Sequence, residues 1–147
     1  MILERLQDPG NLGTIMRTAE AAGVSCVIMD KDTVDIYNPK VVRSTMGAIF
    51  RVPFIYADNL NAVADLLKKD GYSLYAAHLK GTHNFNEIAY EKKTAFLIGN
   101  ESAGLSEKTA SLADEYVKIP MKGKVESLNA SVAASLLMYE YTRNIKD

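Results

Sequence analysis

Short apolar runs rich in β-branched and aromatic residues alternate with helical patterns along the whole chain, and this alternation limits the possible folds most. Cys26 to Met29 reads as a buried strand, as do Val52 to Tyr56, Ser73 to Ala77, Ala95 to Ile98 and Tyr116 to Ile119. Ile2 to Leu6 reads as a further, shorter strand. Leu12 to Ala22 follows Asn11, a side chain suited to an N-cap, and stops at Gly23. Leu60 to Lys69 stops before Gly71 in the same way. Ser106 suits the cap of a short helix to about Ala113, and a last helix runs from near Ser127 to about Asn144. In that helix Leu128, Val132, Ala133, Leu136 and Leu137 form one apolar stripe. Strands separated by helices pair in parallel and are covered on both faces. The expected class is therefore α/β: a mostly parallel sheet with helices on both sides, as a single domain over residues 1–147. Ligands of such sheets lie at the carboxyl ends of the strands, so the loops there carry the functional information.

Bulk properties remove several classes. The chain has 147 residues, 48% apolar and 24% charged, enough for an ordinary soluble core. No apolar run is long enough to cross a bilayer, and Met1 to Leu6, with Glu4 and Arg5, lacks the apolar centre of a signal peptide. A cytoplasmic protein is expected. Cys26 is the only cysteine, which excludes an intrachain disulfide and a thiolate metal cluster. The net charge of −1 shows no basic excess of the kind many nucleic-acid binders carry. Any phosphate-binding surface is then local, or shared with another chain or domain.

Three loops carry chemistry-bearing residues. Asp8-Pro9-Gly10-Asn11 opens the first helix, and Arg17 stands on a later turn. Taken alone, this is a capped helix with a solvated arginine. Phe96-Leu97-Ile98 runs into Gly99-Asn100-Glu101-Ser102-Ala103-Gly104, a loop whose glycines allow close backbone approach. It matches neither a dinucleotide fingerprint nor a P-loop, and Glu101 alone reads as an exposed carboxylate. Ile119-Pro120-Met121 leads through Lys122 and Lys124 into Ser127-Leu128-Asn129-Ala130-Ser131. Ser127 reads as an N-cap. Asn129 sits among apolar neighbours and needs hydrogen-bond partners if buried.

In this order and spacing, the three loops resemble the motifs of the SpoU/TrmH family of RNA 2′-O-methyltransferases, within the SPOUT superfamily. The resemblance runs from Leu6 to about Arg143. It implies a C-terminal trefoil knot, from about Ala95 to the last helix, and a homodimer. It also implies S-adenosylmethionine as cofactor, with no metal, held near Leu79, Gly99, Ile119, Met121 and Leu128. The matched polar set is Asn11, Arg17, Glu101, Ser127 and Asn129, and these are the expected catalytic residues.

The implied reaction moves a methyl group from S-adenosylmethionine to a ribose hydroxyl, which must lose a proton and be held for in-line attack. The family assigns the residue matching Arg17 as the base. A guanidinium keeps its proton in proteins, so binding the adjacent phosphate or the developing alkoxide is the competing role. Relatives often carry an RNA-binding domain before the first strand. The first motif here begins at Asp8, which favours a catalytic fragment without that domain over a minimal stand-alone enzyme.

Ribosomal RNA is the expected substrate. The alternatives are a tRNA ribose, a base nitrogen, or a non-catalytic RNA-binding scaffold on the same fold. His78 and His83 lack the neighbouring ligands of a metal site. Lys92 with Lys93 and Lys122 with Lys124 read as solvated loop charges; the second pair flanks the expected cofactor loop, and a phosphate contact is its alternative role.

Overall fold

The computed structural model describes residues 1–145. In chain order the strands are β1 (Ile2–Leu3), β2 (Val27–Asp30), β3 (Phe54–Ala57), β4 (Ser73–Ala77), β5 (His83–Asn84), β6 (Thr94–Ile98) and β7 (Glu115–Lys118). The helices are α1 (Pro9–Ala21), α2 (Pro39–Ser44), α3 (Leu60–Lys69), α4 (Glu107–Ala110) and α5 (Ala130–Asn144), with one 3₁₀ turn at Ala48–Phe50. The strands form one sheet in the order β3-β2-β1-β6-β4-β7-β5, and each neighbouring pair is parallel.

The two-residue side-chain period of the strands sorts the core into two layers. Leu3 and Ile98 point into a cluster with Leu12, Ile15, Met16 and Leu137, beneath α1 and α5. Their neighbours Ile2 and Leu97 point into the opposite cluster with Leu60, Ala64, Leu105 and Ala110, beneath α3 and α4. Helices therefore cover both faces, as the alternation requires.

Element ends differ from expectation for local reasons. Asp8, not Asn11, caps α1: its Oδ1 accepts from the Asn11 N–H at 2.8 Å, and Pro9 occupies a first-turn position. Asn129, not Ser127, caps α5, so the residues before it are irregular. β3 starts at Phe54 rather than Val52, because Pro53 has no N–H to give a ladder. β1 ends at Leu3, since Arg5 takes a positive φ of 49°. Two elements had no signature: α2 is one and a half turns started by Asn38 and Pro39, and β5 is two residues long.

The α5 stripe also divides. Ala134, Leu137 and Met138 are buried, whereas Val132, Leu136 and Tyr139 stand 47%, 37% and 54% exposed on another face. Among the described residues no helix is long and apolar enough to cross a membrane.

Candidate active site

β6 delivers its chain at the carboxyl edge of the sheet through Ile98 and Gly99. A side chain at Gly99 would overlap the backbone of Gly104 and Leu105, which fold back over it. Asn100 and Gly104 exchange backbone hydrogen bonds of 2.9 and 3.1 Å, and the positive φ of 67° at Gly104 closes the loop. Asn100 stiffens it further: its Oδ1 accepts from Ser102 and Ala103, and its Nδ2 donates to the Arg5 carbonyl at 2.8 Å.

Glu101 is thereby aimed at the start of α1. Its Oε1 accepts from the Asp8 N–H at 2.9 Å and from Asn11 Nδ2 at 3.1 Å, and its Oε2 accepts from the Gln7 N–H at 3.2 Å. Burial pushes the carboxyl upward, but the donors of Asp8, Asn11 and Gln7 outweigh it and hold Glu101 below its ordinary value. Glu101 thus staples the first loop to the second.

Asn11 is buried at 8% exposure and continues the chain of contacts. Its Nδ2 is committed to Glu101, so its Oδ1 faces Asn129 and accepts from Asn129 Nδ2 at 2.9 Å. That leaves Asn129 Oδ1 to cap α5, accepting from the N–H groups of Ser131 and Val132 and from Ser131 Oγ. Glu101, Asn11 and Asn129 therefore join all three loops into one polar relay. Such a relay is stabilising only when each member is satisfied, and here each is.

Glu4 is a second anchor that the sequence reading passed over. It is 7% exposed and accepts from the Ser106 N–H at 2.8 Å, Ser106 Oγ at 2.7 Å and Thr109 Oγ1 at 2.5 Å. Burial raises its carboxyl, and the Thr109 and Ser106 hydrogen bonds with the Arg5 charge bring it below the usual value. It ties β1 to the cap of α4, just beyond the Gly99–Leu105 loop. A carboxylate next to the apolar Ile2-Leu3 pair was the available signal.

A cleft of about 370 Å³ opens at the same edge. Leu79, Gly99, Ile119, Met121 and Leu128, all expected around a cofactor, line it together with Glu101 and Ser127. Among the described residues, the backbone N–H groups of Leu79, Ile119, Met121 and Leu128 donate no hydrogen bond. Apolar walls with unused backbone donors suit the flat, hydrogen-bonding edge of an adenine, and the volume lies within the range of small-ligand sites.

Asn11 and Asn129 do not line this cleft; Asn11 is buried and Asn129 is exposed. Ser127 is exposed and makes no hydrogen bond among the described residues. Arg17 is exposed on α1, also without a hydrogen bond or ion pair among the described residues. His83 pairs with Glu115 through Nδ1 at 2.6 Å, and the His78 ring stacks on Tyr116. A smaller cavity of about 180 Å³, beside Cys26 and Tyr72, lies at the amino ends of the strands, away from these loops.

The sequence model of the SpoU rRNA Methylase family matches residues 1–139. The chain belongs to that family. Curated relatives include a Staphylococcus haemolyticus protein described as a TrmH family tRNA/rRNA methyltransferase, 43% identical over 97% of this chain and 57% of its own length. The 23S rRNA (guanosine(2553)-2′-O)-methyltransferase RlmP of Bacillus subtilis is 37% identical over 95% of this chain and 56% of its own. The chain thus spans little more than half the length of these family members.

Solved structures of the family superpose closely. The AviRb methyltransferase from Streptomyces viridochromogenes, in complex with AdoMet, gives a TM-score of 0.90 at 35% identity, over 97% of this chain and 58% of that one. A structure described as giving insight into 2-OH methylation of C/U34 on tRNA gives 0.88 at 28% identity, over 97% of this chain and 93% of that one.

Proposed function

We propose that residues 1–147 act as one S-adenosylmethionine-dependent catalytic unit that methylates a ribose 2′-hydroxyl of ribosomal RNA in the cytoplasm. One observation carries this reading: the five residues expected around the cofactor line a single cleft, and the Glu101–Asn11–Asn129 relay ties that cleft to the helix bearing Arg17. When bound, S-adenosylmethionine supplies an electrophilic methyl group on a sulfonium. Leu79, Gly99, Ile119, Met121 and Leu128 would hold it by backbone groups and apolar contact.

Arg17 is an exposed cation open to the RNA. A guanidinium keeps its charge, so it acts by holding a phosphate or the oxygen that becomes negative as its proton leaves. Asn11, Glu101 and Asn129 act through the backbone they hold, and are positioning residues. Ser127, exposed in the lining of the cleft, would meet the ribose. The C-terminal segment from about Ala95 threads as a trefoil knot, consistent with the convergence of the Gly99–Leu105 loop, the β7–α5 connection and α5 on one cleft. The exposed face of Val132, Leu136 and Tyr139 is the homodimer contact.

Ribosomal RNA is preferred because the relative named for 23S rRNA is 37% identical. A tRNA substrate is the second reading, favoured by the tRNA-methylating relative whose chain this one covers to 93%.

Calorimetric titration with S-adenosylmethionine and S-adenosylhomocysteine, followed by methyl transfer to unmodified 23S rRNA and tRNA transcripts, tests the reading. Saturable binding near one per chain is expected. Arg17→Ala should leave that affinity in place and lower kcat by about 10²-fold or more. No binding by the folded chain would overturn the proposal.

A further inference from the structure

The helical period places Arg17 between two flanks of α1. Gly13 and Glu20 share one face: a side chain at Gly13 would strike Ser44 of α2, and Glu20 pairs with Arg51 Nε at 2.8 Å. Thr14 and Thr18 share the other: Thr14 lines a groove with Val132 and Leu136, and Thr18 Oγ1 accepts from Ser135 Oγ of α5. Arg17 projects from the strip between them. The segment from α2 to the 3₁₀ turn is therefore the wall on one side of it, pinned to α1 both before and after Arg17.

That wall is unusual in three ways. Phe50 is 86% exposed and Met46 69% exposed, although the loop around them is well anchored, with Thr45, Ala48 and Ile49 buried. Met46 holds a positive φ of 50°, which a non-glycine side chain adopts at a cost, and Gly47 follows at 86°. The longest stretch of the chain without a carboxylate, Ile36 to Ala57, contains this wall and carries Lys40, Arg43 and Arg51. Arg51 is neutralised by Glu20, while Lys40 and Arg43 form no ion pair among the described residues.

We propose that this wall grips the RNA beside the target nucleotide, with Phe50 stacking on an unpaired base and Lys40 and Arg43 holding the neighbouring phosphates. The inference rests on the RNA methyltransferase reading and adds the surface that presents the strand to Arg17. An exposed aromatic ring accepts any base face, and cations that track the backbone add sequence-independent attraction. Charge complementarity selects this occupant. In a protein of net charge −1, the local positive segment answers the net charge expected to be missing from an RNA binder. A second copy of the chain would instead meet the uncharged stripe of α5, on the opposite flank of Arg17.

The test uses the whole chain, a short fluorescein-labelled single-stranded RNA, and four variants: Phe50→Ala, Phe50→Leu, Phe50→Trp and Arg43→Gln. RNA affinity is read by anisotropy, cofactor affinity by calorimetry and mass by light scattering. Phe50→Ala and Phe50→Leu should weaken RNA binding about tenfold, and Phe50→Trp should restore it, because stacking needs a ring. Arg43→Gln should reduce the slope of log affinity against log salt by about 1. Cofactor affinity and mass should stay as in the parent.

RNA binding by Phe50→Leu equal to the parent, or a chain that binds cofactor but not RNA, overturns the proposal. A fall in mass for Phe50→Ala overturns it in favour of a second copy. Failure of the parent chain to bind S-adenosylmethionine strikes the underlying reading instead.

Discussion

The amide of Asn129 is committed at both ends, its oxygen to the first turn of α5 and its nitrogen to Asn11. Asn11 cannot turn to suit a new neighbour, because its own Nδ2 is held by Glu101. Replacing Asn129 by aspartate separates the two roles. The carboxylate still caps α5, since aspartate is as good a cap as asparagine. Its second oxygen then faces Asn11 Oδ1, acceptor against acceptor, with no donor between them. Asn129→Asp should keep the circular-dichroism spectrum of the folded chain while methyl transfer falls at least about tenfold, the equivalent of one lost hydrogen bond at the site. An unchanged rate would reduce Asn129 to a cap.

At the scale of elements, α1 is the part on which the site turns. One face packs into the core through Leu12, Ile15, Met16 and Ala19, and the flanks on either side of the exposed Arg17 meet α2 and α5. Gly13 makes the contact with α2 close: an added Cβ would overlap the Ser44 side chain and lie 3.1 Å from the Val41 carbonyl. Alanine is ordinarily the better helix residue by about 0.5–1 kcal/mol. Overpacking against a second helix costs about 1–3 kcal/mol and has the larger magnitude. Gly13→Ala is therefore expected to lower the midpoint of urea unfolding despite its helix propensity. A raised midpoint would show that α2 yields easily, and that the wall beside Arg17 is not rigid.

For the molecule as a whole, α5 presents two apolar faces, only one of which is covered by the described residues. Val132, Leu136 and Tyr139 flank the groove that also contains Thr14, on the helix beside Arg17. A second copy docked there would complete the surroundings of each Arg17 and hide an apolar strip from water. Leu136→Glu places a charge at the centre of that strip, where desolvation opposes association. The variant should remain folded, bind S-adenosylmethionine, and run as a monomer in light scattering where the parent runs as a dimer. A parent chain that is itself a monomer would remove the dimer from the proposal.

Much of this protein is legible in its residue order. Strands β2, β4, β6 and β7 and helices α1, α3 and α5 declare themselves because side-chain periodicity is a local property, set by the chain's own geometry. The five residues expected around a cofactor share one cleft because a resemblance carries positions, and the strand ends that hold them were readable. Other features were not. α2 and β5 are too short to show a period. The stripe of α5 looks continuous in sequence, yet packing covers Leu137 and leaves Leu136 open. Glu101 reads as a solvated loop carboxylate until folding brings Asn11, ninety positions earlier, within 3.1 Å. Order along the chain specifies which face each element wants to bury. Which elements meet, and hence which polar groups find one another, depends on how those faces fit together in space.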